Sequence, residues 1–323
     1  MQVQQWECMM LDGWRRTLRG VLFAAGLAAG IWLGALLGRV TYEARLMLLG
    51  ARRRVHRTPA DLDLAASDVV LRGEDGVTVR GWFIAATSAD RAPAVLIVHG
   101  WPWHRGGNRA GELTLPDADV DLLAPAAALQ RRGLHVLLID LRNHGTSDAA
   151  PPVTFGLRES RDVLAAVSWL AQQPGVDAQR IGVLGYSMGA NAALYAAAAG
   201  EQIHAVVAVQ PVEPAVFLQR YGREQYGAIG VALARIASML PRMLGGPVLG
   251  QIRLLPLVRQ IRHTRVRYIQ GDRDPWGEHQ AVVELERATP HTAGLITVAA
   301  GDRYAGYQYP THHPEVIGEL LGR

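Results

Sequence analysis

The 323-residue sequence contains no lysine, and Cys8 is its only cysteine. A lone thiol allows no internal disulfide, so a scaffold held by oxidation is excluded. All 33 basic residues are therefore arginine, and against 29 acidic residues they leave a formal net charge of +4. The arginines are scattered rather than gathered with aromatic side chains, so the basic balance is no nucleic-acid footprint and no such partner is expected. The eleven histidines show no H-x-x-x-H or Cys-rich spacing, and no P-loop or dinucleotide fingerprint occurs. Neither a metal nor a cofactor is expected on those grounds. The length suffices for one large α/β domain with an appendage.

Charge is also missing from Val21 to Gly38, an uninterrupted apolar run. With Gly20 and the flanking Thr17-Leu18 it approaches the roughly 20 residues that span a bilayer. The expected order is an N-terminal flank over 1–19, a transmembrane helix over 20–38 and a basic juxtamembrane linker over 39–60. A cleaved signal peptide fits less well: the stretch before the run is long and carries Glu7 and Asp12, and Gly38-Arg39-Val40 is unlike a small-residue cleavage site. Arg15, Arg16 and Arg19 precede the run, whereas Arg39, Arg45, Arg52, Arg53, Arg54 and Arg57 follow it. The positive-inside bias then puts the main domain on the cytoplasmic face. Gly26, Gly30, Gly34 and Gly38 recur every four residues and form one stripe of the helix. Such a stripe could seat a second copy in a homodimer, or simply reflect the composition of membrane helices.

Beyond Asp61 the pattern changes to that of a folded domain, expected over 61–323. Asp68–Arg72 and Val77–Ala86 are β-rich and are separated by Gly73-Glu74-Asp75-Gly76, which predicts a hairpin. From Ala94 onward, short apolar runs such as Val95–Val98, Val136–Ile139, Ile181–Leu184 and Ala205–Val209 alternate with helical patterns at Leu122–Arg132, Leu157–Gln172 and Ala190–Ala199. That alternation implies βαβ units and a mostly parallel central sheet with helices on both faces. Catalytic groups are then expected beyond the C-terminal ends of the strands.

One stretch has that placement and a chemistry. Gly185-Tyr186-Ser187-Met188-Gly189 is a G-x-S-x-G turn between a strand and a helix, a geometry that lifts the Ser187 hydroxyl clear of the sheet. His99-Gly100-Trp101-Pro102 follows the first central strand, and there the Trp101 N–H can join the Met188 N–H as an oxyanion hole. Asp140-Leu141-Arg142-Asn143-His144-Gly145-Thr146-Ser147 follows the next. Together these segments resemble the α/β-hydrolase superfamily, and the resemblance covers roughly Asp68 to the C-terminus. It implies a serine nucleophile at Ser187, a structural role for the Asp140–Ser147 loop including His144, and a helical cap insertion over about 212–263. Such a cap would wall an apolar pocket.

The resemblance also implies an orienting acid in a G-x-x-D arrangement. In Gly271-Asp272-Arg273-Asp274 that residue is Asp274, with Asp272 and Glu213 as alternatives. Asp274 could instead cap a helix starting near Gly277. A histidine should follow the last strand, Leu295–Ala299, but Gly301-Asp302-Arg303-Tyr304 contains none. His313, or alternatively His312, comes several residues later in the chain order Ser, Asp, His. It would have to be returned to the site by a Tyr/Gly/Pro-rich loop over 304–311, or else it merely caps a helix. The expected activity is hydrolysis of carboxylic esters or thioesters (EC 3.1) through Ser187, His313 and Asp274, on a small-molecule or lipid-like acyl substrate at a membrane. A serine peptidase and a non-catalytic hydrolase-like binding module remain open beside it.

Overall fold

A computed structural model of the chain describes residues 2–87, 91–115, 117–200, 202–299 and 301–322; the side chains of residues 2–13, 15–18 and 20, and so those of Cys8, Glu7, Asp12, Arg15 and Arg16, lie outside the described set. The chain divides into two units, Met1–Arg45 and Leu46–Arg323.

The first unit is most of one long helix, α1 (Gln2–Leu49). Its large apolar side chains between Val21 and Leu37 stand in the open, with Phe23 76% and Trp32 75% exposed. The stretch Val21–Leu49 is long and apolar enough to cross a membrane. The helix continues through the first half of the expected linker, because nothing stops it before Gly50, whose φ of 73° ends the helical path.

The second unit is built on an eight-stranded sheet. In chain order the strands are β1 (Ser67–Arg72), β2 (Thr78–Ile84), β3 (Ala92–Val98), β4 (His135–Asp140), β5 (Val176–Tyr186), β6 (Ala205–Val209), β7 (Arg265–Gly271) and β8 (Thr292–Val298). Their spatial order is β1-β2-β4-β3-β5-β6-β7-β8. The expected hairpin is present: β1 pairs antiparallel with β2, and β2 antiparallel with β4. From β4 across to β8 every pairing is parallel. Every residue of β3, β4 and β6 is buried, which is why those strands read in sequence as unbroken apolar runs. Helices α2 (Leu123–Arg131), α3 (Ser160–Ala171), α4 (Met188–Ala199) and α7 (His279–Ala288) make the crossovers.

Between β6 and β7 the chain forms α5 (Pro214–Ala237), two short 3-10 turns and α6 (Leu255–Val258). Gly227, at φ 62° and ψ −140°, breaks α5 into two arms. The arms fold closely together: a Cβ on Gly222 would meet the Gly230 carbonyl oxygen at 2.5 Å. After β8 come α8 (Arg303–His312) and α9 (Glu315–Gly318).

Candidate active site

Strand β5 ends at Tyr186 and α4 begins at Met188, so Ser187 alone makes the turn. It does so at φ 49° and ψ −111°, a strained conformation for a residue with a side chain. Two hydrogen bonds hold it there: Ser187 N donates to the Val209 carbonyl over 2.9 Å, and Asn191 N donates to the Ser187 carbonyl over 3.0 Å. The turn also needs Gly189, where a Cβ would lie 2.4 Å from the Val98 carbonyl oxygen. Such strain persists only where the surrounding structure over-determines it, as these contacts do here.

Ser187 borders a pocket walled by Trp101, Met188, Phe155, Phe217, Tyr221 and Trp276. Its enclosed volume is about 40 Å³, room for a few waters and not for an acyl chain, so occupation requires these side chains to move. The first arm of α5 supplies Phe217 and Tyr221, and Phe217 packs edge-on to Trp101 and Trp276. Trp101 is fixed from behind, its indole donating to the Leu46 carbonyl over 3.1 Å.

Asp274 is the residue expected as the orienting acid. Asp274 follows β7, is buried, and accepts from Trp276 N at 3.0 Å and Gln270 Nε2 at 3.0 Å. Its partner, however, is Arg303. Nη1 of Arg303 bonds Asp274 Oδ2, Nη2 donates to Ser187 Oγ over 3.2 Å, and Nε donates to the hydroxyl of Tyr307. Tyr307 and Ser187 thus share Arg303 as a partner and line the same pocket. Burial works to raise the Asp274 pKa, but the Arg303 guanidinium and the hydrogen bonds overcome it and hold the carboxyl below its ordinary value. Burial likewise works against the Arg303 charge, yet Tyr307 and Asp274 raise its pKa. The Tyr307 phenol is pushed up by burial, only partly offset by the Arg303 guanidinium beside it.

The two expected bases are not brought to this site. Asp302 caps α8 by accepting from Tyr304 N and Ala305 N, so the segment expected as a returning loop is a helix. At about 1.5 Å per residue the helix carries its far end away from Arg303. His312 and His313 stand exposed there, with His313 Nδ1 3.0 Å from Glu315 Oε1 and its ring stacked on Tyr309. No histidine borders the pocket among the described residues. Sequence reading missed Arg303 and Tyr307, although Gly301-Asp302-Arg303 stands where a G-x-H was sought.

The Asp140–Ser147 loop is framework. Asp140 accepts from Arg105 N and Thr146 N, and Arg142 is clamped by Asp162 and Asp75. His144 is fully buried, bonds the Arg142 carbonyl at 2.9 Å and packs edge-on against His99. His99 in turn accepts from Leu141 N at 3.0 Å, locking the ends of β3 and β4 together. Of the alternative acids, Glu213 pairs with Arg253 at 2.7 Å, and Asp272 is an exposed residue outside the pocket lining.

Two family profiles match the chain: the alpha/beta hydrolase fold over residues 93–228 and the C-terminal domain of BAAT / acyl-CoA thioester hydrolases over residues 164–308. The thiohydrolase aneE of Aspergillus aculeatus is 26% identical over 71% of this chain and 67% of its own. The polyketide transferase ATR5 of Stachybotrys chlorohalonatus is 35% identical over 48% of this chain, a match spanning about half (47%) of that protein's length. Among solved structures, an esterase of Pyrococcus furiosus superposes with a TM-score of 0.65 at 26% identity, covering 85% of this chain and 98% of its own.

Proposed function

The chain belongs to the α/β-hydrolase superfamily, and from that premise we propose that it is a membrane-anchored serine hydrolase cleaving carboxylic esters or thioesters at Ser187. The observation that carries the reading is a strained serine on the floor of an apolar pocket. The thiohydrolase, polyketide transferase and esterase among its relatives support it, since all three names denote acyl transfer at a carbonyl. Ser187 Oγ attacks the acyl carbon, and the Trp101 and Met188 amides take up the charge that develops on the carbonyl oxygen. The bond to the alcohol or thiol breaks, and water releases the acyl group as an acid. Thioesters suit the site better, because a thiol with a pKa near ~8.5 leaves as thiolate with little help from a general acid.

The proton of Ser187 is the demanding part. Arg303 cannot take it, since a guanidinium is all donors and stays charged. Tyr307 is the neighbour of Ser187 that can both accept and donate. Its reactive form is the phenolate, which Arg303 stabilises and burial disfavours. Asp274 then orients Arg303 in the way that the acid of a triad orients a histidine. In this reading residues 20–38 anchor the chain, and the arginine bias of the flanks supports a cytoplasmic catalytic unit.

Arg303 in the base's position favours a second reading, a binding module that holds an acyl group without turning it over. Detergent-solubilised protein treated with a fluorophosphonate probe and with p-nitrophenyl esters and acyl thioesters separates the two. Hydrolysis requires labelling and turnover that disappear in Ser187→Ala. Folded protein that binds acyl ligands but neither labels nor turns over assigns it to the binding module.

A further inference from the structure

The second arm of α5 carries a face that neither the pocket nor the core uses. Ile229, Ala232, Ile236, Met239 and Met243 recur at spacings of three and four residues and are all exposed, Met243 at 79% and Ile229 at 67%. Gly230 and Ala234, on the opposite side of the arm, are buried. The arm is thus apolar toward the outside as well as toward the protein, and the helix with its following turn is long and apolar enough to meet the criteria for a membrane segment.

We infer that this outward face docks in the plane of an anionic lipid bilayer. Charge supports that occupant: from Gln225 to Gly271 the sequence has no acidic residue and seven arginines. Two of these, Arg235 and Arg242, lie exposed beside the stripe. An apolar stripe flanked by arginines inserts into the boundary between headgroups and acyl chains, and each arginine near an anionic surface adds to the attraction. The stripe carries no tyrosine or tryptophan, the residues that most often anchor protein interfaces. The exposed apolar helix in the same chain supplies a tether that raises the local concentration of lipid.

The two arms of α5 then divide the work. The inner arm presents Phe217 and Tyr221 to the pocket above Ser187, and the outer arm rests on lipid. The substrate class follows, and rests on the hydrolase reading: acyl esters or thioesters dissolved in the bilayer, whose chains enter past Phe217 and Tyr221.

The test uses the full chain in vesicles of mixed phosphatidylcholine and phosphatidylglycerol, with Cys8→Ser as background. A nitrobenzoxadiazole label is placed at Ile236→Cys, at Met243→Cys, or at the exposed Gln179→Cys as control. Docking requires blue-shifted emission at 236 and 243 that brominated acyl chains quench, little change at 179, and weaker quenching when phosphatidylglycerol is left out. Emission at 236 and 243 that matches 179 overturns it. So does excimer emission from pyrene at 236, which would show a second copy on the face. Flotation of the same samples reads the anchor separately, and thioester turnover reads the hydrolase, so failure of either is distinguishable from failure of docking.

Discussion

Arg303 Nη2 donates to Ser187 Oγ over 3.2 Å while Nη1 of the same guanidinium holds Asp274. The three residues keep the connectivity of a catalytic triad, with a permanent cation at its centre. A cation there stabilises a serine alkoxide but cannot receive the proton whose departure creates it. Arg303→His supplies an imidazole that can do so, next to a carboxylate already fixed by Trp276 and Gln270. Turnover of p-nitrophenyl acetate at pH 7.5 is expected to rise in Arg303→His by about 10²-fold or more, the range of general-base catalysis. An unchanged rate would mean that Ser187 and the oxyanion amides are not aligned for acyl transfer.

Wild-type turnover carries its own signature if Tyr307 is the base. Burial sets the phenol's pKa above its ordinary value of 10.0, so the deprotonated form is a small fraction at neutral pH and grows as pH rises. The rate should climb about tenfold per pH unit through the neutral range, with no plateau near pH 7. Tyr307→Phe should abolish that slope while leaving the fold intact, and Arg303→His should replace it with a plateau above the imidazole pKa. A wild-type profile flat from pH 6 to 9 would remove Tyr307 from the mechanism.

The Arg303–Asp274 pair is also structural, with side chains 2% and 1% exposed. Removing one partner strands the other charge away from water, so Arg303→Met should cost about 3–5 kcal/mol. Arg303→Met combined with Asp274→Leu should recover most of that loss, because two apolar groups leave no unpaired charge. Denaturant unfolding in detergent reads both variants. A loss under about 1 kcal/mol in Arg303→Met would show that water reaches the pair.

Much of this site was legible in the sequence because its turns require particular residues. Ser187 between Gly185 and Gly189, and Asp274 three residues past the end of a buried strand, follow from local rules that tertiary contacts do not override. The strands β3 and β6 were legible for the same reason, as apolar runs buried on both faces. The base was not. Gly301 to Thr311 is rich in glycine, tyrosine and proline and has little apolar periodicity, which suggests a loop. Asp302 nonetheless nucleates a helix there by capping two backbone amides, and Pro310 is accommodated near its far end. Once that segment is helical, Arg303 at its start faces Ser187, and His312 and His313 at its end cannot. Asp302, a residue type favoured at helix starts, was the cue.

The start of the catalytic unit lies inside α1. Leu46, Met47 and Ala51 are buried at 8%, 9% and 5% exposure, and the backbone there is bonded to the domain: Trp101 Nε1 to the Leu46 carbonyl, Val153 N to the Leu48 carbonyl, and Gly145 N to the Ala51 carbonyl. These contacts position Trp101, whose amide we propose for the oxyanion hole. Deletion of residues 1–45 should therefore leave a folded unit with wild-type melting, whereas deletion of 1–55 strips two large apolar side chains worth about 1.5–3 kcal/mol each. The longer deletion also unpairs the Trp101 indole and the amides of Gly145 and Val153. Its melting temperature should drop sharply, and fluorophosphonate labelling should fall further than the loss of folded protein explains, because Trp101 is no longer held. Equal melting and labelling in the two truncations would show that residues 46–55 only connect the domain to the preceding part of α1.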